Sequence, residues 1–425
     1  MKISRTLQIE KRPTQQWLIF LIFLLPFLWG TLFSLLHLPS FIKYIADFAW
    51  VVLFASMLFA RTARVYKKVA PLVVLVGVFF VYCLLLYLFN FESIVYFLWG
   101  TRNNFRFYVL FFAVIMFISA DDIDGIFKFF DILFWINIPV VLIQYFVLGY
   151  EQDFLGGIFG VESGVNSMMI IFFTVVLSRS IIRYMQREES LLSCASKCIV
   201  ALLISALAEL KIFFVILIII LILAAAFTDF SWQKAAIFAI SAAAIFFTSS
   251  LLVTLFNFEN FLDISNIWEL ATQEHYSSEQ TVNRLSAIPT LSRMLVTDWK
   301  DRVFGLGLGN CDTSSFEICN TPFYQRYGSL RYTYFSCAFL FLEVGYVGLA
   351  LYMLFFVLCF FMIKKRIKDG KCQPLCGYVA LITAILAIIL IFYNSSLRAE
   401  IGYIVFFILA LPFIDRHKDE MQLEQ

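Results

Sequence analysis

Twelve long apolar runs constrain this chain more than any other feature. They lie at about 17–37, 41–60, 70–90, 105–119, 126–148, 167–183, 194–209, 212–228, 234–257, 332–362, 375–393 and 398–414. Charge clusters or turns rich in Gly, Asn and Ser separate them, and such residues stop helices. About 20 apolar residues suffice to span a bilayer as a helix. Lipid offers no hydrogen bonds, so a spanning segment must satisfy its own backbone, which leaves helices or a closed barrel. Continuous runs, rather than ten-residue alternations, select helices. Composition agrees: 62% of the 425 residues are apolar, 15% are charged and 51 are Phe. Soluble chains carry about 45–50% apolar and about 25% charged residues. A soluble enzyme, a disordered chain and a nucleic-acid binder are thereby excluded, and a net charge of +2 exerts no pull on a polyanion. The expected fold is an all-α polytopic membrane protein of about 12 transmembrane helices. The run that starts at Trp17 is too long for a signal-peptide core and lacks a small-residue cleavage site, so it reads as an uncleaved first span.

The expected organisation is nine spans over 1–257, an outer loop over 258–331, three spans over 332–414 and a tail over 415–425. Most of the 32 Lys and Arg residues fall on the side of the N-terminal tail: among them Arg61, Arg64, Lys67, Lys68, Arg179, Arg183, Lys197 and the run from Lys364 to Lys371. The positive-inside rule therefore puts both termini in the cytoplasm and the long loop outside. That loop is polar, is not of low complexity and holds amphipathic stretches such as Arg284–Trp299, so a small folded cap carrying short helices is expected. Cys311 and Cys319 lie in it on the oxidising side, where both a disulfide and two thiols remain open. Cys194 with Cys198, and Cys372 with Cys376, face the reducing side and read as packing residues.

Basic groups at the outer ends of the spans need an explanation, because a charge inside hydrocarbon costs roughly 2.5–3.5 kcal/mol on insertion scales. Arg102 and Arg106 open the fourth span in GTRNNFRFYV, four residues apart and so on one helix face. Lys211 sits at the tight break Glu209-Leu210-Lys211, Arg331 precedes the tenth span, Arg398 precedes the twelfth and Arg284 lies in the loop. Arg presents a rigid fork to phosphate oxygens and Lys a point charge, chemistry suited to a diphosphate. The competing reading of each is a side chain snorkelling to the interface. Glu343 falls about a dozen residues into an apolar run and should have a polar or cationic partner.

The segment NRLSAIPTLSRMLVTDWKDRVFGLGLGNC followed by FLEVGYVGL resembles the O-antigen ligase and polymerase superfamily. The resemblance rests on Arg284, an amphipathic helix, a turn with Gly305, Gly307, Gly309 and Asn310, and a span that opens with Glu343, Gly345, Gly348 and Leu349. The turn glycines permit positive φ, and Gly345 and Gly348 are expected to allow close helix approach. Asn166 before a span, Lys211 where many members have Arg, and the Arg-bearing start of the fourth span fit the same pattern. Ligases of the family carry a His between the glycine turn and the next span. This chain has no His from 276 to 416, which favours a polymerase of the Wzy type.

The resemblance implies glycosyl transfer at the outer face of a bacterial inner membrane. An undecaprenyl-diphosphate-linked oligosaccharide is the substrate, membrane lipids surround the chain, and a chain-length regulator protein is a further candidate partner. No cofactor and no metal are expected. Arg284 and Lys211 are the foremost diphosphate ligands, with Arg102, Arg106, Arg331 and Arg398 behind them. Glu209, His275 and Tyr334 stay open as the catalytic base, and Asn166 and Glu343 are pocket residues. A ligase that moves finished polymer to lipid A-core, a lipid-linked oligosaccharide flippase and an inactive scaffold are the rivals. The flippase would need repeated halves and charges near the midplane, and the sequence has neither.

Overall fold

Backbone that lipid cannot solvate bonds to itself locally, and the described part of each of the twelve apolar runs is largely helical. The computed structural model describes residues 13–36, 44–59, 68–90, 93–228, 232–256, 273, 281–314 and 316–414. The apolar helices are α1 (Pro13–Leu36), α2 (Ile45–Phe59), α3 (Ala70–Asn90), α4 (Ile94–Phe117), α5 (Asp122–Phe146), α6 (Asn166–Met185), α7 (Leu191–Leu207), α8 (Lys211–Phe227), α9 (Trp232–Phe256), α13 (Ser336–Lys368), α14 (Pro374–Tyr393) and α15 (Gly402–Ala410). Three short helices precede α13: α10 (Ala287–Met294), α11 (Trp299–Phe304) and α12 (Pro322–Tyr327). No strand occurs among the described residues. Among the described residues, five helices (α3, α5, α6, α13 and α14) are long and apolar enough to cross a membrane. The chain is an all-helical, membrane-embedded protein.

Local chemistry sets the boundaries. Ser190 caps α7 by accepting from the Ser193 amide, Asp298 caps α11 from Lys300, and Thr321 caps α12 from Tyr324; each satisfies an amide the helix leaves unpaired. Pro374 occupies the first turn of α14, where its missing N–H costs nothing. Glu209, at φ 52, turns the chain between α7 and α8, as the tight break in the sequence requires. One boundary differs from expectation. α4 begins at Ile94, so Arg102 and Arg106 lie two to three turns inside it and do not open it.

Burial divides the helices. α6 and α15 are enclosed along nearly their whole length. α2, α3 and α5 keep one face exposed, lined by residues such as Phe48, Phe54, Val74, Phe89, Trp135 and Phe146; a continuous apolar outer face is what a lipid solvent demands. Between helices in lipid, packing rather than the hydrophobic effect supplies cohesion. Phenylalanines carry much of it. Phe23 of α1 meets Phe130 of α5 edge-to-face at 5.4 Å, and Phe130 stacks on Phe172 of α6 at 5.9 Å. Such pairs contribute about 0.5–1.5 kcal/mol beyond their burial.

One charged group inside the bundle departs from the sequence reading. Arg179 and Lys197, expected in the basic cytoplasmic flank, are buried. Arg179 pairs with Asp131 of α5, and Lys197 lies 3.0 Å from both Asp131 and Glu189. The hydroxyls of Ser180 and Ser193 donate to Glu189 at 2.7 Å each. Two cations and two anions from α5, α6, α7 and the α6–α7 connection neutralise one another there, as buried charges must.

Candidate functional site

The glycine turn docks on a break in α13 and so positions the segment that follows it. Gly345 has φ 63 and ψ −169 inside α13, a region essentially reserved for glycine. The break frees two carbonyls, and the turn uses both: Leu306 N–H donates to Leu342 O and Gly307 N–H to Glu343 O, each at 2.8 Å. The Tyr82 hydroxyl lies between Phe304 O at 2.9 Å and Val344 O at 2.8 Å. A methyl group on Gly345 would sit 2.3 Å from Val303 O. Gly345 is thus a helix break under the turn, rather than a site of close helix packing. Gly305, Gly307 and Gly309 all have positive φ, in keeping with the turn their spacing implies. Gly309 in turn rests on α4: a Cβ on Gly100 would meet Gly309 N at 2.6 Å. This contact brings Asp312, three residues on, against the arginine-bearing face of α4.

A further part of the site is the connection from α14 to α15. Asn394 is extended and ends α14. Its carbonyl accepts from Ser336 N at 3.0 Å and Ser336 Oγ at 2.9 Å, which ties the connection to the start of α13. Its side chain accepts from Ser396 N at 3.0 Å. Arg398 and Glu400 follow on this fixed segment.

α4, the 312–314 segment and this connection line an open pocket of about 480 Å³. Arg102, Arg106, Arg398, Asp312 and Glu400 line it, with Tyr44 and Trp99 at one side. Arg102 is held by both oxygens of Asp47, at 2.9 and 2.8 Å. Arg398 lies 3.6 Å from Asp312. Arg106 lies 3.6 Å from Glu400 and donates to Arg398 O at 3.1 Å. Asn103 donates to Asp312 at 2.6 Å and accepts from Arg102 at 2.6 Å. Arg106 and Asp312 are 4% and 5% exposed, so this charge is held largely out of water. Glu343 is fully buried beside Asp312, Arg398 and the backbone of Gly309 and Cys311. Contrary to expectation, it forms no ion pair with Arg398 or any other cation among the described residues, and neither of its carboxylate oxygens has a hydrogen-bond partner there.

A second polar cluster adjoins the pocket. Lys211 feels the charges of both Glu209 and Arg284, which places it near each of them. Asn166 ties the cluster together, donating to Ala208 O at 2.9 Å and to Asp153 at 3.2 Å. Burial pushes the Glu209 carboxyl up from its usual range, with Lys211 pulling the other way. Arg284 lies over the Tyr393 ring at 4.5 Å, and Ser167 meets Ser396 at 3.3 Å. The 393–400 segment therefore touches both the cluster and the pocket.

Of the predicted residues, Arg102, Arg106 and Arg398 share the pocket, and Lys211, Arg284, Glu209 and Asn166 share the neighbouring cluster. Arg331 and Tyr334 are exposed and stack on each other at 5.8 Å; neither lines the pocket. His275 lies outside the described residues. Cys311 and Cys319 are buried thiols and form no disulfide. The sequence reading missed the acids. Asp47, Asp312 and Glu400 partner arginines 55, 86 and 294 residues away in sequence. A local signal did exist, since Asp312 follows Asn310 of the glycine turn and Glu400 is two residues past Arg398. No protein-family model and no curated protein matches this chain.

Proposed function

We propose that this chain is a polysaccharide polymerase that joins undecaprenyl-diphosphate-linked oligosaccharide units at the outer face of a bacterial inner membrane. In this reading all twelve apolar helices span, both termini are cytoplasmic, and the 258–331 loop folds over the outer end of the bundle. The growing chain is the donor and the new lipid-linked unit is the acceptor. The acceptor hydroxyl attacks the anomeric carbon of the donor, and a lipid diphosphate leaves. Preorganised cations that meet the charge developing on the leaving group are the strongest stabilisation such a site can offer. Arg284 and Lys211 take this role, Asn166 fixes the turn that presents Lys211, and the pocket lies alongside.

The observation that supports the reading is the convergence of cations from α4, α8, the 281–331 segment and the α14–α15 connection on two adjoining polar regions of the bundle. Arg284→Ala is expected to abolish polymer while the protein still inserts and purifies as a folded species. A normal ladder of chain lengths from that variant would refute the assignment. Cells lacking the gene separate the two transferases: accumulation of single-repeat products marks a polymerase, and polymer left on undecaprenyl diphosphate marks a ligase.

A further inference from the structure

We infer that the 480 Å³ pocket is the subsite for the acceptor sugar, and that Glu400 receives the proton of its attacking hydroxyl. This rests on the proposed glycosyl transfer. Three guanidinium groups line the pocket, and each already has a carboxylate: Asp47 for Arg102, Asp312 for Arg398, Glu400 for Arg106. A diphosphate entering here would find its positive partners matched and three anions close by. A sugar would find the opposite, guanidinium donors beside carboxylate acceptors that already offset their charge, which suits hydroxyls that both donate and accept. The volume falls within the range of about 300–1,000 Å³ usual for small-molecule sites, where a few placed polar groups fix orientation.

Among the carboxylates, Asp312 is engaged on both oxygens, by the Asn103 amide and by the Thr313 backbone N–H. Asp47 is engaged on both by Arg102. The Glu400 carboxylate accepts no hydrogen bond among the described residues, has one ion-pair neighbour at 3.6 Å and lines the pocket. In the step, the acceptor oxygen bonds to the donor's anomeric carbon as the bond from that carbon to phosphate oxygen breaks. The hydroxyl proton goes to Glu400, and the electron pair leaves on the lipid diphosphate beside Lys211 and Arg284. The 393–400 segment, which touches both regions, holds the two reactants next to each other.

The test uses the full chain in nanodiscs and three probes. These are undecaprenyl diphosphate, inorganic pyrophosphate, and the repeat-unit oligosaccharide released by mild acid from the lipid-linked unit of the source cells. Pyrophosphate is expected to displace the lipid diphosphate and to leave oligosaccharide binding unchanged. Asp312→Asn or Trp99→Ala is expected to weaken the oligosaccharide about tenfold and to spare the lipid diphosphate. Glu400→Gln is expected to bind both, and to lengthen chains about 10²–10⁴-fold more slowly, with partial return in Glu400→Asp. Pyrophosphate competing with the oligosaccharide would overturn the sugar subsite. Elongation at the normal rate by Glu400→Gln, or loss of both ligands from it, would overturn the base. Wild-type protein that binds oligosaccharide but not undecaprenyl diphosphate would instead sink the lipid-linked reading on which the proposal stands.

Discussion

Replacing Gly345 by Ala tests how the broken helix supports the site. The position has φ 63 and ψ −169, and a non-glycine residue held there costs of order 1–3 kcal/mol. The new methyl would lie 2.3 Å from Val303 O and 2.6 Å from Phe304 N. Ordinary contact needs roughly another ångström, because packed interiors leave no such gap, so the end of α11 must lift. Lifting it stretches the bonds from Leu306 to Leu342 O and from Gly307 to Glu343 O, each contributing about 0.5–1.5 kcal/mol. Together the docked turn loses about 2–6 kcal/mol, or about thirtyfold to twenty-thousandfold in its undocking equilibrium at about 1.4 kcal/mol per decade. Hydrogen exchange of the 299–314 peptide in nanodiscs reads this directly: the amides of Leu306 and Gly307 should lose protection, and elongation should fall with them. Gly370→Ala is the control. It too has positive φ, 69, but its Cβ would meet nothing within 4 Å, so the turn should keep its protection. Unchanged exchange at 306–307 in Gly345→Ala would refute the coupling.

Three further outcomes are expected. Asp131→Ala strands Arg179 in the bundle and should destabilise it by about 3–5 kcal/mol, whereas Asp131→Leu with Arg179→Met should recover most of the loss; thermal unfolding in detergent that leaves the single variant unchanged would contradict the network. Glu209 is held above its usual range near 4.5 by burial, so its ionisation costs stability as pH rises from about 4.5 through the raised value. Glu209→Gln should therefore melt higher than wild type at pH 7, with the gap closing below pH 4.5, and a lower melting point at pH 7 would reverse the sign of the argument. All nine cysteines are buried thiols, so maleimide should label the native protein slowly and all nine after denaturation without reductant; seven labels would reveal a bond between Cys311 and Cys319.

Much of the helical layout is legible in the sequence because it follows from local rules. The twelve apolar runs, the break at Glu209–Lys211 and the positive φ of Gly305, Gly307 and Gly309 each depend on residues next to one another. The start of α4 is harder to read, because Gly100 and the polar residues after it look like a break, yet the helix runs through them from Ile94. Gly345 is ambiguous for another reason: a glycine in an apolar run fits both close packing and a break. The turn that docks on it, some forty residues away, selects the break.

The site shows the same division. Spacing alone puts Arg102 and Arg106 on one face, since four residues make about one turn. Their partners cannot be found that way: Asp47 and Glu400 come from segments distant in sequence, and a carboxylate near a motif does not reveal which arginine it will meet. The buried pairing of Asp131, Arg179, Glu189 and Lys197 is hidden for the same reason, because counting charges on a flank assumes each one reaches water. By itself, then, the sequence determined that this chain is a bundle of apolar helices carrying cations it must justify, as solvent and backbone chemistry act residue by residue. Only the tertiary structure decided which cations are already matched and which carboxylate is left facing the cavity, because electrostatic balance belongs to distances in space and not to positions along the chain.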